Sequence, residues 1–323
     1  MNPFDPEVQA LAWTLVHFLW QGCGIWALAA LALRALHGSR PSVRYAVGIL
    51  ALVACVAIPV GTYARLRPEA MAREVEGVVI AKAERPESAP SPTAREGNPI
   101  PGHSMQMLRV EPKAWLPWVV RLWFFGSLLL ALRLGGGWMG LRSLRRDGKP
   151  ASEEWQQRLE RLGSALKIGR VPILRLSTSI KSPLVAGWIR PMLLMPAGLL
   201  TGLDPAAVEA LLVHELAHIR RHDYLVNLMQ CAVEILLFYH PAVWWISARI
   251  RTERELCCDD AAVAWCHDPQ LYAETLNELR AFQARSLAPA LAAGGGDLMF
   301  RIKRLLLPTT KVLKVYLELS GEI

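Results

Sequence analysis

The chain has 323 residues, of which 53% are hydrophobic and 20% are charged, and its net charge is +8. This composition excludes a disordered or fibrous protein, and the length leaves room for one soluble domain beside membrane-spanning segments. No basic stretch interleaved with aromatic residues is present, so direct binding of nucleic acid is not expected. Six cysteines without paired short spacings argue against a disulfide framework and against a cysteine-based zinc site.

Three apolar runs lie in the first half of the chain. Residues 11–33 carry no charged side chain, and a helix of this length crosses the roughly 30 Å hydrocarbon core of a bilayer. The acidic residues that precede this run argue against a cleaved signal peptide. A second run covers 45–64 and a third covers 114–134. The sequence therefore predicts two transmembrane helices within 1–64 and a third within 114–141.

Basic residues flank these runs on one side. The loop after the first run holds Arg34, Arg40 and Arg44 without an acidic residue, and a second basic cluster follows the third run at 142–149. The positive-inside rule places both flanks in the cytoplasm and the N-terminus outside. Residues 65–113 are polar with a Pro-rich centre, which predicts a flexible extracytoplasmic loop.

The remainder of the chain has the mixed composition of a globular domain. We expect a cytoplasmic α+β domain over 142–310, followed by a tail at 311–323. Its first part contains a helix-like stretch at 152–167. Three short β-prone runs, broken by Pro and Gly, follow that helix: 171–177, 183–186 and 192–195.

An H-E-x-x-H motif is formed by His214, Glu215 and His218. Asp204 before Pro205 is an N-cap followed by a first-turn proline, so the motif lies on a helix. The i, i+4 spacing puts both imidazoles on one face, where they can bind one zinc ion while the glutamate takes a proton from water. The motif also arises by chance as ordinary polar helix residues, but its apolar frame favours a metal site because burying these groups without a partner is costly.

A catalytic zinc site usually needs a third protein ligand. His222 lies about 6 Å too far along an unbroken helix. Glu255 and Asp259 share a helical face, so the first can ligate while the second holds a ligand imidazole. A solvated acidic face is the alternative for four residues of this stretch, Glu253, Glu255, Asp259 and Asp260. Glu234 is a rival third ligand within an apolar run.

The apolar stretch 224–247 is long enough for a fourth span. A single crossing would leave Glu255 about 30 Å from His214, on the wrong side of the bilayer. The chain must therefore turn back, and the break is predicted at His240-Pro241. The sequence leaves open whether the two arms form a hairpin that dips into the membrane or a buried helix pair.

Three motifs together, HELAHIRRHD, EILLFYHPAVWW and ERELCCDDAAV, resemble the BlaR/MecR-type antirepressor family of integral-membrane zinc metallopeptidases over about residues 8–305. The resemblance implies a glutamate-zincin domain behind a multi-pass α-helical membrane part, in the bacterial cytoplasmic membrane. It also implies one zinc ion per chain and the following site residues: ligands His214, His218 and Glu255, catalytic base Glu215 and supporting residue Asp259.

The same resemblance implies a function in signal transduction. The regulated partner would be a winged-helix transcriptional repressor in the cytoplasm, cleaved directly or inactivated indirectly, and the peptidase could also cut its own chain. No penicillin-binding domain is recognisable, so sensing of β-lactams is not expected. A constitutive membrane quality-control zinc peptidase and a non-enzymatic sensor with a structural zinc are the alternatives. A homodimer is compatible with each of them, and membrane lipid is a partner in all.

Overall fold

The computed structural model describes residues 5–83, 115–187, 191–286 and 295–306. Within these ranges the chain forms ten helices and one four-stranded sheet. The predicted tail at 311–323 and most of the predicted loop at 65–113 lie outside the described residues.

Three long helices begin the described chain: α1 (Pro6–Ala35), α2 (Pro41–Ala83) and α3 (Leu116–Asp147). All of α1, all of α3 and Pro41–Arg67 of α2 are long and apolar enough to cross a membrane. Large apolar side chains such as Leu28 and Phe124 are exposed on these helices, as expected for surfaces that face lipid. The three predicted apolar runs are thus confirmed as candidate spans.

The second helix corrects one sequence expectation. It does not end near residue 64 but continues to Ala83, so residues 65–83 are helical rather than part of a flexible loop. This segment is rich in Ala, Arg and Glu, which are strong helix formers even where they are too polar to lie in a bilayer. The third helix likewise extends past the predicted boundary at residue 141, to Asp147.

A small mixed sheet follows the spans. Its strands are β1 (Lys149–Pro150), β2 (Ile173–Ser177), β3 (Leu184–Ala186) and β4 (Met192–Pro196). They stand in the order β1-β2-β4-β3, with β2 and β4 parallel and the outer pairs antiparallel. Leu174, Leu193 and Met195 from this sheet are fully buried and pack in one cluster with the helices that cover it. The helices of this region are α4 (Glu153–Ala165) and α5 (Ala197–Gly202).

Helix α6 (Pro205–Arg220) carries the H-E-x-x-H motif. The Asp204 carboxylate accepts from the Ala206 backbone N–H at 2.8 Å, which confirms the predicted cap. The helix ends where His222 takes a left-handed conformation with φ of 56°. This turn redirects the chain into α7 (Asp223–Leu236).

Helix α7 and α8 (Pro241–Cys266) form a hairpin broken at the predicted His240-Pro241 position. The His240 ring donates from Nε2 to the Leu19 carbonyl at 2.9 Å, because its Nδ1 accepts from Ala242. Trp123 of α3 donates to the Leu236 carbonyl at 2.7 Å. The tip of the hairpin therefore contacts the middle of two candidate spans, so the stretch 224–247 lies among them rather than apart from them.

Two further helices complete the described chain: α9 (Pro269–Ser286) and α10 (Gly295–Leu306). Tyr272 and Leu276 of α9 pack with Leu298 and Ile302 of α10 against Ala262 of α8. These helices close one side of the region where α6 and α8 meet.

Candidate metal centre

Two helices bring the predicted ligands together. His214 and His218 lie on α6, and Glu255 lies on α8, with one donor atom from each residue within 4.8 Å of the others. The Glu255 carboxylate is 3.4 Å from His214 Nε2 and 3.7 Å from His218 Nε2. Residues far apart in sequence thus present three donors to one point.

The other nitrogen of His214 is held by a buried network. Its Nδ1 lies 3.2 Å from Asp259 Oδ1 and 2.9 Å from the Tyr272 hydroxyl. Tyr272 donates to Asp259 at 2.8 Å, so its oxygen is free to accept from Nδ1–H. Arg301 donates to Asp259 at 2.5 and 2.9 Å and to Glu255 at 3.3 Å. This network occupies Nδ1 and leaves Nε2 of His214 as the nitrogen that can bind a metal.

The second imidazole is oriented by a different carboxylate. His218 Nδ1 is 2.8 Å from Asp223 Oδ2, and Cys258 Sγ lies 3.3 Å from the same nitrogen. Both histidines thus have one nitrogen beside a carboxylate and the other directed at Glu255, which is the arrangement that fixes ligand histidines in zinc proteins. Two imidazoles and a carboxylate fit the three-ligand set of a catalytic zinc site.

The charges of the centre are strongly coupled. Burial opposes ionisation, but hydrogen bonds to Asp259 and Glu255 outweigh it and raise the pKa of His214 to about 9. Burial is likewise outweighed at Glu255, whose pKa is lowered to about 2 by its hydrogen bond with His214 and by the charges of His214 and Arg301. The Glu255 carboxylate is therefore ionised at neutral pH, which is the form that binds a metal, whereas a metal at His214 Nε2 would have to displace the proton that this raised pKa keeps on the ring.

A cleft of about 550 Å³ opens onto these residues. Glu215 lines it together with the three candidate ligands and Arg301. Leu184 and Val185 of β3 line another side, and β3 is an edge strand of the sheet. The cleft thus combines the donor triad, the Glu215 carboxylate and a strand that lies at the edge of the sheet among the described residues.

Other sequence candidates lie outside the donor triad. Glu234 forms an ion pair with Arg251 at 2.7 Å, and His222 lines the cleft. Neither belongs to the donor groups found among the described residues. The alternative of a solvated acidic face is wrong for Glu253 and Asp259, which are buried.

Four residues that surround the ligands are not predicted from the sequence: Asp223, Cys258, Tyr272 and Arg301. Asp223 follows the second histidine of the motif by five residues, and this closeness is the signal that could have pointed to it. Its approach to His218 depends on the left-handed turn at His222, which no local pattern predicts. Tyr272 and Arg301 come from separate helices and carry no motif of their own.

The family model described as BlaR1 peptidase M56 matches residues 22–304, which is most of the chain. The protein belongs to this family. Membership in this M56 metallopeptidase family implies a metal cofactor, for which the triad on α6 and α8 supplies suitable donors.

Relatives of known name share shorter stretches with this M56 protein. It is 36% identical over 91 residues to the regulatory protein BlaR1 of Bacillus licheniformis, covering 28% of this chain and 15% of that protein. It is 21% identical over 142 residues to the methicillin resistance mecR1 protein of Staphylococcus aureus, and this match covers 44% of this chain and 24% of that protein. The protease HtpX homolog of Bacillus subtilis is 29% identical to it over 158 residues, and this match covers 45% of this chain and 52% of the homolog. The chain therefore spans between a seventh and about half of these relatives.

Proposed function

We propose that this M56 protein is an integral-membrane zinc endopeptidase in signal transduction, which relieves repression by cleaving or inactivating a cytoplasmic transcriptional repressor. The observation that carries the proposal is the convergence of His214, His218 and Glu255 donors within 4.8 Å, in a cleft that also holds Glu215. The name of one relative, the regulatory protein BlaR1, supports the regulatory role.

The triad would hold one zinc ion, with Asp259 and Asp223 orienting the two imidazoles. When bound, zinc supplies a Lewis acid and lowers the pKa of water. Glu215 would take a proton from the attacking water and pass it to the leaving amine. This division of roles separates the base from the ligands, so each can be removed independently.

The substrate would lie extended beside β3. Among the described residues this strand pairs with β4 alone, and Leu184 and Val185 line the cleft. A free strand edge can accept a peptide through backbone hydrogen bonds. This mode favours a flexible segment of a protein over a folded surface.

The position of the site relative to the membrane supports a cytoplasmic substrate. Arg44, the last residue of the basic loop 34–44, forms a salt bridge with Glu253 at 2.8 Å, so this loop and the metal centre lie at the same end of the spans. The positive-inside rule assigns that end to the cytoplasm. A winged-helix repressor and the chain's own segment 142–200 are the substrates proposed on this basis.

A constitutive membrane protease is the second candidate. The match to the protease HtpX homolog covers 52% of that relative, whereas the match to BlaR1 covers 15%. The two candidates differ in regulation, because a constitutive protease would cut its substrates without a stimulus and without a repressor gene nearby.

The test compares wild type with Glu215→Gln in cells that carry the neighbouring candidate repressor. Immunoblots follow fragments of both proteins while the repressor's target gene is monitored. The control is Glu209→Gln, the same substitution on the same helix, where Glu209 pairs with Arg158 instead of lining the cleft.

We expect Glu209→Gln to behave as wild type and Glu215→Gln to abolish both fragments and derepression. If Glu215→Gln derepresses as well as wild type with unchanged fragments, proteolytic signalling is wrong and the non-enzymatic sensor is the better account. If fragments depend on Glu215 but the repressor is untouched, the constitutive protease replaces the regulatory one.

A further inference from the structure

The first turns of the second candidate span contact a residue that orients a ligand. The Tyr45 hydroxyl of α2 donates to Asp223 Oδ1 at 3.1 Å. The other oxygen of Asp223 lies 2.8 Å from His218 Nδ1. Two hydrogen bonds therefore connect a membrane helix to a candidate zinc ligand, and Asp223 at 3% exposure has little access to water as a substitute partner.

The neighbouring residue contacts the helix that carries the third ligand. Arg44 Nε donates to both carboxylate oxygens of Glu253 at 2.9 Å, and Glu253 precedes Glu255 by two residues on α8. Arg44 also donates to the His37 and Ser39 carbonyls at 3.1 and 2.5 Å. Both partners of the ion pair are buried, so this link is not weakened by solvent as a surface pair would be.

Helices α2 and α8 also touch directly along the same face. A Cβ atom at Gly48 would lie 2.7 Å from Ile250 Cγ1, so only glycine allows this approach. Leu52 and Cys55 continue the contact in one buried cluster with Val243 and Ile246. Because packed interfaces of this kind resist small displacements, α2 and α8 are expected to move together.

We propose that Tyr45 is a positioning residue of the metal centre, acting through Asp223 on His218, and that the placement of the second span is thereby coupled to the ligand geometry. Arg44 makes the parallel link to the helix that carries Glu255. The inference rests on the proposed zinc site. It adds a route by which a shift of α2 in the membrane would alter metal binding. The route consists of the Tyr45–Asp223 and Arg44–Glu253 contacts, which lie outside the H-E-x-x-H motif.

The hydroxyl of Tyr45 can be separated from its ring. The Arg221 guanidinium lies over the Tyr45 ring, with its Cζ 4.6 Å from the ring centroid. Tyr45→Phe keeps this packing while removing the hydrogen-bond donor to Asp223. Tyr239→Phe is the matched control, because Tyr239 also donates one hydrogen bond of 3.1 Å, to Leu15 of α1. That bond joins the same hairpin to a span without touching any residue that contacts a ligand.

The experiment measures zinc affinity of the full chain, purified in detergent, by competition with a chelator, and records the absorption spectrum of the cobalt-substituted protein. Loss of a residue that orients a ligand typically weakens metal binding 10- to 100-fold, so we expect about tenfold for Tyr45→Phe, which acts one contact further out. Its cobalt bands should shift as well. Tyr239→Phe should leave both affinity and spectrum at the wild-type values.

A double-mutant cycle tests the route. If Tyr45 acts through Asp223, then Tyr45→Phe should cause no further loss of affinity in an Asp223→Ala background. Equal affinities and spectra for wild type and Tyr45→Phe, or equal losses in Tyr45→Phe and Tyr239→Phe, would overturn the inference while leaving the zinc site intact. A wild-type protein that binds no zinc would instead overturn the proposed function, and this inference with it.

Discussion

Charged side chains at the metal centre are buried together with their partners. Asp259 has no exposed surface and accepts from Tyr272 and twice from Arg301. The Arg301 guanidinium holds the pKa of Asp259 below its usual range despite burial, which opposes ionisation. A buried ion pair contributes little net stability when complete, but removing one partner leaves the other charge uncompensated. The network is therefore sensitive to the loss of any single member.

Asp259→Ala should destabilise the protein by about 3–5 kcal/mol, since Arg301 would be left buried without its main partner. Asp260→Ala is the control, because Asp260 is exposed and its pair with Arg304 belongs to the class worth about 1 kcal/mol or less. Equilibrium unfolding in detergent measures both variants. Similar losses in the free energy of unfolding for Asp259→Ala and Asp260→Ala would show that the buried network around Asp259 does not contribute more than a surface pair.

Zinc content separates the roles of three glutamates. The wild type should hold one zinc per chain, and Glu255→Ala should lose it, because two remaining ligands hold the ion poorly. Glu215→Gln should keep the metal and lose peptidase activity, since this residue is assigned as the base. Metal analysis of the purified variants checks this. Retention in Glu255→Ala together with loss in Glu234→Ala would transfer the third ligand to Glu234.

At the scale of the elements, the sequence predicts best where a boundary has a local cause. Asp204 before Pro205 specifies the start of α6, and the proline after His240 specifies the break between α7 and α8. The sequence predicts the end of α2 too early, because polar composition is typical of loops, although Ala, Arg and Glu continue a helix beyond the membrane. Local signals thus set starts and breaks, while helix length depends on propensity summed over many residues.

Only those residues of the site that lie close together in the sequence could be paired by prediction. The pairs His214 with His218 and Glu255 with Asp259 follow from i, i+4 geometry. The partners that come from other elements do not, because Tyr272 reaches His214 only through the packing of α9. Residues that orient ligands across helices are therefore the part of a metal centre that a single sequence leaves undetermined.

The docking of the hairpin among the spans depends on small residues. A Cβ atom at Gly22 would lie 2.6 Å from the His240 ring, so Gly22→Ala should disrupt that contact and cost about 1–3 kcal/mol as overpacking. Gly24→Ala is the control, since nothing lies within 4 Å of its added Cβ and alanine favours the helix. Thermal unfolding midpoints in detergent compare them. A Gly24→Ala loss as large as that of Gly22→Ala would contradict this account of the docking.

At the scale of the whole described chain, the hairpin of α7 and α8 joins the spans to the metal centre. Its tip contacts α1 through His240, and its base carries Asp223 and Glu255, next to the start of α2. The membrane part and the cleft are therefore connected through α7 and α8, which contact both, and not through a linker. This arrangement fixes the cleft at one end of the spans, so the side of the membrane on which substrates are met follows from the orientation of the spans alone.

The orientation can be tested by cysteine labelling in intact cells, on a background without the native cysteines. Arg85→Cys, in the segment assigned outside, should react with a membrane-impermeant maleimide, whereas Pro150→Cys should react only after permeabilisation. Gly38→Cys should behave like position 150, because the Arg44–Glu253 pair places the 34–44 loop at the end of the spans that carries the cleft. Labelling of 150 but not 85 would reverse the orientation and move the substrates outside the cell. Different results at 38 and 150 would instead contradict the assignment of the three spans.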